Sequence, residues 1–212
     1  MKIMTFNVRI WTRDTDSSAN TYWKKRMARM KELISRENPD IICFQEMMFP
    51  ATCYIPSGYK RVGISAHHSI FIKKNAGIKT RNHKFKIFYE YADVAVPNYP
   101  EFRLFNIHTR WEDNIAIKTF SGVTEDMKAH KCILCGDFNA TLEDVRKNGL
   151  IGTSVREALG LESKDTFQNY TKEYQHGEID HFIVYNLWDM PHSYKIASDY
   201  DISDHKSVVI EL

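Results

Sequence analysis

The decapeptide KCILCGDFNA, residues 131 to 140, ends an apolar run in an aspartate and an asparagine separated by a single phenylalanine. Cys132 to Cys135 reads as a short buried strand, with Gly136 marking the place where the backbone leaves the regular ladder. If the chain stays extended, Asp137 and Asn139 share one face and Phe138 takes the other, because successive strand side chains point in opposite directions. A carboxylate beside an amide at a strand end is either a turn with a helix cap or half of an active site. Other apolar runs stop in a similar way. Asn7 follows MTF, Gln45 and Glu46 follow IICF, and His108 follows FNI, while Asp180 and His181 precede FIVY and Ser203, Asp204 and His205 lie just before SVVIEL. Carboxylates, amides and imidazoles together offer oxygens to a cation and hydrogen bonds to an anion. Each alone has an ordinary explanation: a turn former at Asn7, a solvated carboxylate at Glu46, a structural strand histidine at His108, an Asx turn in GDFNA, a loop with a cap-like serine in SDH.

The elements that must position these groups follow from hydrophobic period. Ile3, Met4, Phe6 and Val8 suggest an opening strand. From Tyr22 to Glu37 the period becomes helical, with Trp23, Met27, Met30, Leu33 and Ile34 as a core-facing stripe; Asn20 or Thr21 can cap its start and Pro39 ends it. DIICFQE then gives a buried strand, so the first 46 residues read strand, helix, strand. Further strands are expected at Lys60 to Ile64, Ser69 to Lys73, His83 to Phe88, Asp93 to Val96, Phe102 to His108, Phe182 to Tyr185, Tyr194 to Ala197 and Ser207 to Leu212. Helices are expected at Val123 to His130, from a Thr141 cap through Lys147 to a stop at Gly149, and at Val155 to Leu159. Many strands with a few helices argue for layered sheets with helices packed outside. Strand ends in such a fold are where a rigid scaffold can aim groups into one cleft.

With 212 residues, 43% of them apolar and 26% charged, the chain reads as one ordinary globular domain spanning residues 1 to 212. A net charge of +2 neither demands nor excludes a nucleic-acid partner. Of the four cysteines, at 43, 53, 132 and 135, only the last pair has a metal-like spacing. Their odd separation on a strand sends them to opposite faces, so buried thiols in a reducing compartment are the expectation. MKIMTFNVRI has no long apolar core or small-residue cleavage site, and no stretch of about 18 apolar residues occurs. A soluble, unprocessed, cytoplasmic monomer without membrane insertion is expected.

The ordered set N, QE, H, GDFN, D and SDH resembles the endonuclease/exonuclease/phosphatase superfamily, from Phe6 to Leu212. The strongest elements are PDIICFQE, CGDFNA, GEIDHFIV and SDH, and the DTF of Asp165 to Phe167 is similar to a segment that precedes the last two in that family. The resemblance implies an α/β (α+β) fold, deoxyribonuclease-like: a four-layered α-β-β-α sandwich of two mixed sheets flanked by helices, with one active site at its top edge. It also implies phosphoester hydrolysis with Mg2+, or Mn2+ in its place. Magnesium prefers oxygen ligands and is typically held by one or two carboxylates plus substrate phosphate, which suits single carboxylates at several strand ends. On the family's pattern Glu46 is the first metal ligand, Asn7 supports the metal or a phosphate oxygen, and Asp204 contributes to the metal site. Asp137 orients or deprotonates the attacking water, with Asn139 beside it to fix water or phosphate. Asp180 and His205 resemble the family's carboxylate and histidine pair, in which the carboxylate orients the ring and favours its charged form. His108 donates a hydrogen bond or a proton to the phosphate.

His108 in FRLFNIHTRW resembles the histidine-bearing branch, which includes deoxyribonucleases, deadenylases, 5′-tyrosyl-DNA phosphodiesterases and lipid or inositol phosphatases, rather than the abasic-site nucleases. Ser207 stands where a proline commonly follows SDH, and TRWED departs from the common leucine-aspartate continuation. Arg9, Trp11 and Arg13 after Asn7, and Arg110 with Trp111 after His108, can track a nucleic-acid backbone and stack on bases, or be exposed charge and ordinary packing. The leading expectation is a nuclease or phosphodiesterase acting on DNA or RNA. A phosphatase of a small or lipid-linked phosphate is the alternative, and a silent binding module on the same scaffold is the third reading.

Overall fold

In the computed structural model, residues 1–9, 16–20, 22–47, 54–63, 67–168 and 175–212 are described. The opening strand β1 (Lys2–Asn7), helix α1 (Trp23–Glu37) and strand β2 (Ile41–Gln45) form as their periods require. Asn38 stops α1 in a left-handed turn at φ 48°, its N–H bonded to the Ile34 carbonyl, and Pro39 cannot continue the helix. Tyr22 rather than Asn20 is the N-cap residue, with no side-chain capping bond, and Thr21 lies outside the described residues, as do Trp11, Arg13, Cys53 and Ile64.

Strands β3 (Tyr59–Val62), β4 (His68–Lys73), β5 (Lys79–Lys86), β6 (Tyr89–Ala95) and β7 (Phe102–His108) follow, then helix α2 (Asp113–Met127) and strand β8 (Cys132–Asp137). The chain continues through α3 (Leu142–Lys147), β9 (Thr153–Ser154), α4 (Val155–Ala158), β10 (Phe167–Gln168), β11 (Gln175–Gly177), β12 (Asp180–Tyr185), β13 (Ser193–Ile196) and β14 (Val208–Glu211). The largest shifts from expectation are at α2, β5 and β6, the last opening at Tyr89 rather than Asp93. α2 starts ten residues before the expected Val123 because Ala116, Phe120, Val123 and Met127 form one buried helical stripe. β5 starts at Lys79 and carries a register irregularity between Arg81 and Lys84, where Asn82 has φ 52°.

Two six-stranded mixed sheets result, in the orders β13-β14-β1-β2-β4-β3 and β5-β6-β7-β8-β12-β9, beside a two-stranded β10-β11 ribbon. Each large sheet has one parallel pair at its centre, β1 with β2 and β7 with β8, joined by α1 and α2 respectively. Strand alternation sorts the apolar residues into layers. Ile3, Ile41, Cys43, Leu104, Ile133 and Cys135 fill the space between the sheets. Met4, Phe6, Ile42 and Phe44 face outward onto Met30, Leu33 and Ile34 of α1. Phe105, Cys132 and Leu134 face outward onto Phe120 and Val123 of α2 and Val145 of α3. The protein is thus the four-layered sandwich, and Cys132 and Cys135 sit on opposite faces as free buried thiols. Among the described residues no helix is long and apolar enough to cross a membrane.

Candidate active site

The topology carries the polar strand ends to one edge. Asn7, Gln45, His108 and Asp137 are the last residues of β1, β2, β7 and β8, the four central strands. Asp180 opens β12, which runs antiparallel to β8 so that Asp180 faces Asp137 in register, and His108 pairs with Asp137 from the other side. Open sheets bind ligands in this region, beyond the carboxyl ends of parallel strands.

Gly136 stays in the ladder, contrary to the sequence expectation, at φ +139°; a Cβ there would lie 2.0 Å from the Ile107 carbonyl oxygen, so close strand approach demands glycine. The chain then turns. Asn139 adopts φ 46° instead of continuing extended, and Phe138 swings into the outer core against Phe120 and the His181 ring. Asp137 is therefore both the Asx turn and a site group, one oxygen for each role. Its Oδ1 accepts the Asn139 backbone N–H at 2.8 Å. Its Oδ2 accepts Asn7 Nδ2 at 2.9 Å and Asn139 Nδ2 at 3.2 Å, and lies 3.6 Å from His108 Nε2 and 3.7 Å from His205 Nε2. Asn139 is itself tied down by donating to the Thr109 carbonyl at 3.0 Å.

His205 Nδ1 lies 2.9 Å from Asp180 Oδ2 and both side chains are buried. Burial alone would discharge the ring, but the Asp180 and Asp137 carboxylates outweigh it and hold its pKa up at about 10. Asp137 is pushed up to about 7, first by burial and then by the Asp180 charge, against the pull of His205 and the bonds from Asn139 and Asn7. His108 goes the other way: burial lowers its pKa, Glu46 opposes the change and the charged His205 reinforces it. Three neighbouring groups are thus pushed apart, which is what acid and base roles in one cleft require.

Glu46 has φ 58° and Arg9 φ 51°, and they are the only described non-glycine residues with positive φ that are not asparagine. Such conformations cost about 1–3 kcal/mol each and cluster at functional sites. Asn7 Oδ1 accepts the Arg9 N–H at 3.0 Å, which orients the amide so that Nδ2 donates to Glu46 Oε1 at 3.3 Å and to Asp137. In this arrangement Asn7 braces two carboxylates with its nitrogen. The Arg9 guanidinium is paired with Asp204. Two donor sets could hold a cation. Asp137, Asp180 and His205 have ligand atoms within 4.8 Å of one another, and buried Asp180 Oδ1 has no hydrogen-bond partner; yet a cation there would compete with the bond between Asp180 and His205. Glu46 and Asp137, bridged by the Asn7 amide, are the second, of oxygens alone, which suits a hard divalent ion.

Several supports escape residue-by-residue reading. Thr166, inside DTF, accepts the Ile179 and Asp180 N–H groups at 3.0 Å each, and the Phe167 ring packs tilted against the His205 ring, centroids 4.8 Å apart. Ser203 Oγ donates to the Asn7 carbonyl at 2.7 Å. Arg26, buried on α1, donates through Nη1 to the Val8 and Ile202 carbonyls at 2.9 and 3.1 Å, tying the ends of both site segments together. Between the sheets Gln45 bonds Thr5 and Asn106, Asn106 bonds Glu90, and Glu90 meets His83. The only sequence signal for this chain is a polar residue interrupting an inward apolar face. Above the site, Arg110 lies 5.9 Å from the Phe88 ring and lines the cleft with Trp111.

A family profile described as Endonuclease/Exonuclease/phosphatase family matches residues 4–205. No curated protein sequence matches. Among solved structures, a functionally unknown conserved protein from Enterococcus faecalis V583 is similar with a TM-score of 0.81 at 16% identity, covering 100% of this chain and 98% of that one. TDP2 of D. rerio, solved with a single-strand DNA product, is similar at 0.79 and 17% identity, covering 99% and 97%. A mannosyl-6-phosphatase of Bacteroides thetaiotaomicron VPI-5482 is similar at 0.79 and 18% identity, covering 100% and 98%. At these identities the structures speak for the fold alone. With its profile match running over nearly the whole chain, from β1 to the histidine of SDH, this protein belongs to the endonuclease/exonuclease/phosphatase family.

Proposed function

We propose that this chain is a divalent-metal-dependent phosphoesterase that hydrolyses phosphodiester bonds in DNA or RNA. The observation that carries the reading is the convergence on Asp137 Oδ2, which two amides bond and two imidazoles approach within 3.7 Å, at the edge where Glu46 and Asp204 also stand. Glu46, braced with Asp137 by the Asn7 amide, would hold magnesium or manganese together with Asp204, and the metal's chemistry when bound is to draw negative charge from a phosphoryl oxygen.

The chain's own residues do the rest. Asp137, raised to about 7, orients a water molecule and takes its proton as the water oxygen bonds to phosphorus. His205, held charged by Asp180, donates to a non-bridging oxygen, where transition-state charge accumulates. Asn139 aligns water or phosphate, and neutral His108 donates to a second phosphate oxygen. The bond to the leaving oxygen breaks, and that oxygen takes a proton from solvent or from His205. Arg9 and Arg110 receive flanking phosphates. The same groups would also serve a phosphomonoester, a reading favoured by the likeness to a phosphatase.

The test is magnesium-dependent hydrolysis of single-stranded DNA, duplex DNA, RNA, a sugar phosphate and a phosphoinositide, with Asp137→Ala as control. Polynucleotide cleavage falling by about 100- to 1000-fold in the variant is expected. Cleavage of a monoester with inert polynucleotides would replace this reading with the phosphatase, and variant turnover within a few-fold of normal would overturn the role of Asp137.

A further inference from the structure

Trp111 is 76% exposed, although it stands beside the site rather than on a remote surface. It separates two lobes of the cleft. One, of about 480 Å³, runs over Glu46 and His108 between Ile87, Phe88 and Arg110. The other, of about 600 Å³, lies against Ala140, Thr141, Phe167 and Ile179. Trp111 and Asn139 line both, so a phosphorus held at Asn139 and Asp137 has room for a substituent on either side. A phosphomonoester needs only one such space. Ile87 is also 70% exposed at the first lobe, and an exposed apolar group bordering a polar site marks a surface that a ligand covers.

We propose that Trp111 is a stacking platform for an unpaired nucleobase next to the scissile linkage, so that the substrate is single-stranded nucleic acid passing from one lobe to the other; this rests on the phosphodiester reading above. An indole face takes any base, because every base has a π face. Arg110 shares the first lobe with it and gives positive charge for the flanking phosphate. In a duplex both faces of an interior base are covered by its neighbours, leaving nothing to lay on Trp111. Inositol and sugar phosphates lack a π face and gain less from a flat, open indole.

The experiment measures binding of a fluorescein-labelled 12-nucleotide oligothymidylate and of a blunt duplex of equal length, by anisotropy. It is run in EDTA, and again with magnesium in the Asp137→Ala background, so that nothing is cleaved. Tighter binding of the single strand is expected, with Trp111→Ala weakening it roughly 5- to 100-fold and Trp111→Phe restoring most of the affinity. Indole fluorescence should be quenched on binding, and the quenched component should be missing in Trp111→Phe. Unchanged affinity in Trp111→Ala, preference for the duplex, or no binding of either would overturn the proposal. Magnesium-dependent cleavage that persists while Trp111→Ala binds normally removes the platform and keeps the nuclease. Trp111-dependent binding without cleavage does the reverse.

Discussion

Replacing Asp180 by asparagine keeps the shape of the side chain and removes one charge. His205 Nδ1 sits 2.9 Å from Asp180 Oδ2, and Asp180 is the larger of the attractions that raise the ring's pKa from 6.5 to about 10 against burial. That rise corresponds to roughly 5 kcal/mol of preference for the charged ring. In Asp180→Asn the burial penalty stays while its main compensation is gone, so His205 should lose its proton in the neutral range. It then no longer donates charge-assisted hydrogen bonds to phosphate, and turnover should fall by about 100-fold or more. Because the folded pKa is raised, this pair adds stability that is fully present below the unfolded pKa of about 6.5 and is lost as pH climbs through about 10. The stability gap between wild type and variant should therefore be widest below about pH 6.5 and close as pH rises toward about 10. Imidazole NMR on the 15N-labelled protein reads the titration, urea melts read the gap, and steady-state hydrolysis reads the rate. A wild-type His205 titrating near its ordinary value, or a variant within five-fold of normal turnover, would refute the reasoning.

Arg26→Met keeps the buried stem but removes two charge-assisted bonds to the Val8 and Ile202 carbonyls. Melting should drop by roughly 5–15 °C, with turnover reduced through lost alignment of Asn7 and His205; a melting point within a degree or two of normal would count against the clamp. His68 is wholly buried, and burial, opposed by Glu90 and aided by His108, lowers its pKa to about 4. The unfolded chain takes this proton near pH 6.5 and the native one resists it, so stability is present above that value and is lost as pH falls toward 4. His68→Leu should remove about 2 kcal/mol of the wild-type loss between pH 7 and 5, measured by urea midpoints at both, and an unchanged acid slope would exclude this histidine as a cause.

Period and residue type settled more here than a family likeness alone. Alternation placed Cys132 and Cys135 on opposite faces, and it marked strand ends whose polar residues, Asn7, Glu46, His108, Asp137 and Asp180, do meet at one edge. The stops at Pro39 and Gly149, and the Thr141 cap, were equally local. Extension through Asn139 was not legible, because the turn there is held by Thr109, 30 residues away, as well as by Asp137. Nor was Arg26, which looks like any helix lysine or arginine until Ile202 is found 176 residues on. The identity of each group follows from the sequence; its protonation and aim do not. Asn7 is 130 residues from Asp137 and Asp180 is 25 from His205, and burial and charge act through space. The same imidazole is driven toward neutrality at His108 and held charged at His205 by carboxylates that only the packing of two sheets brings within reach.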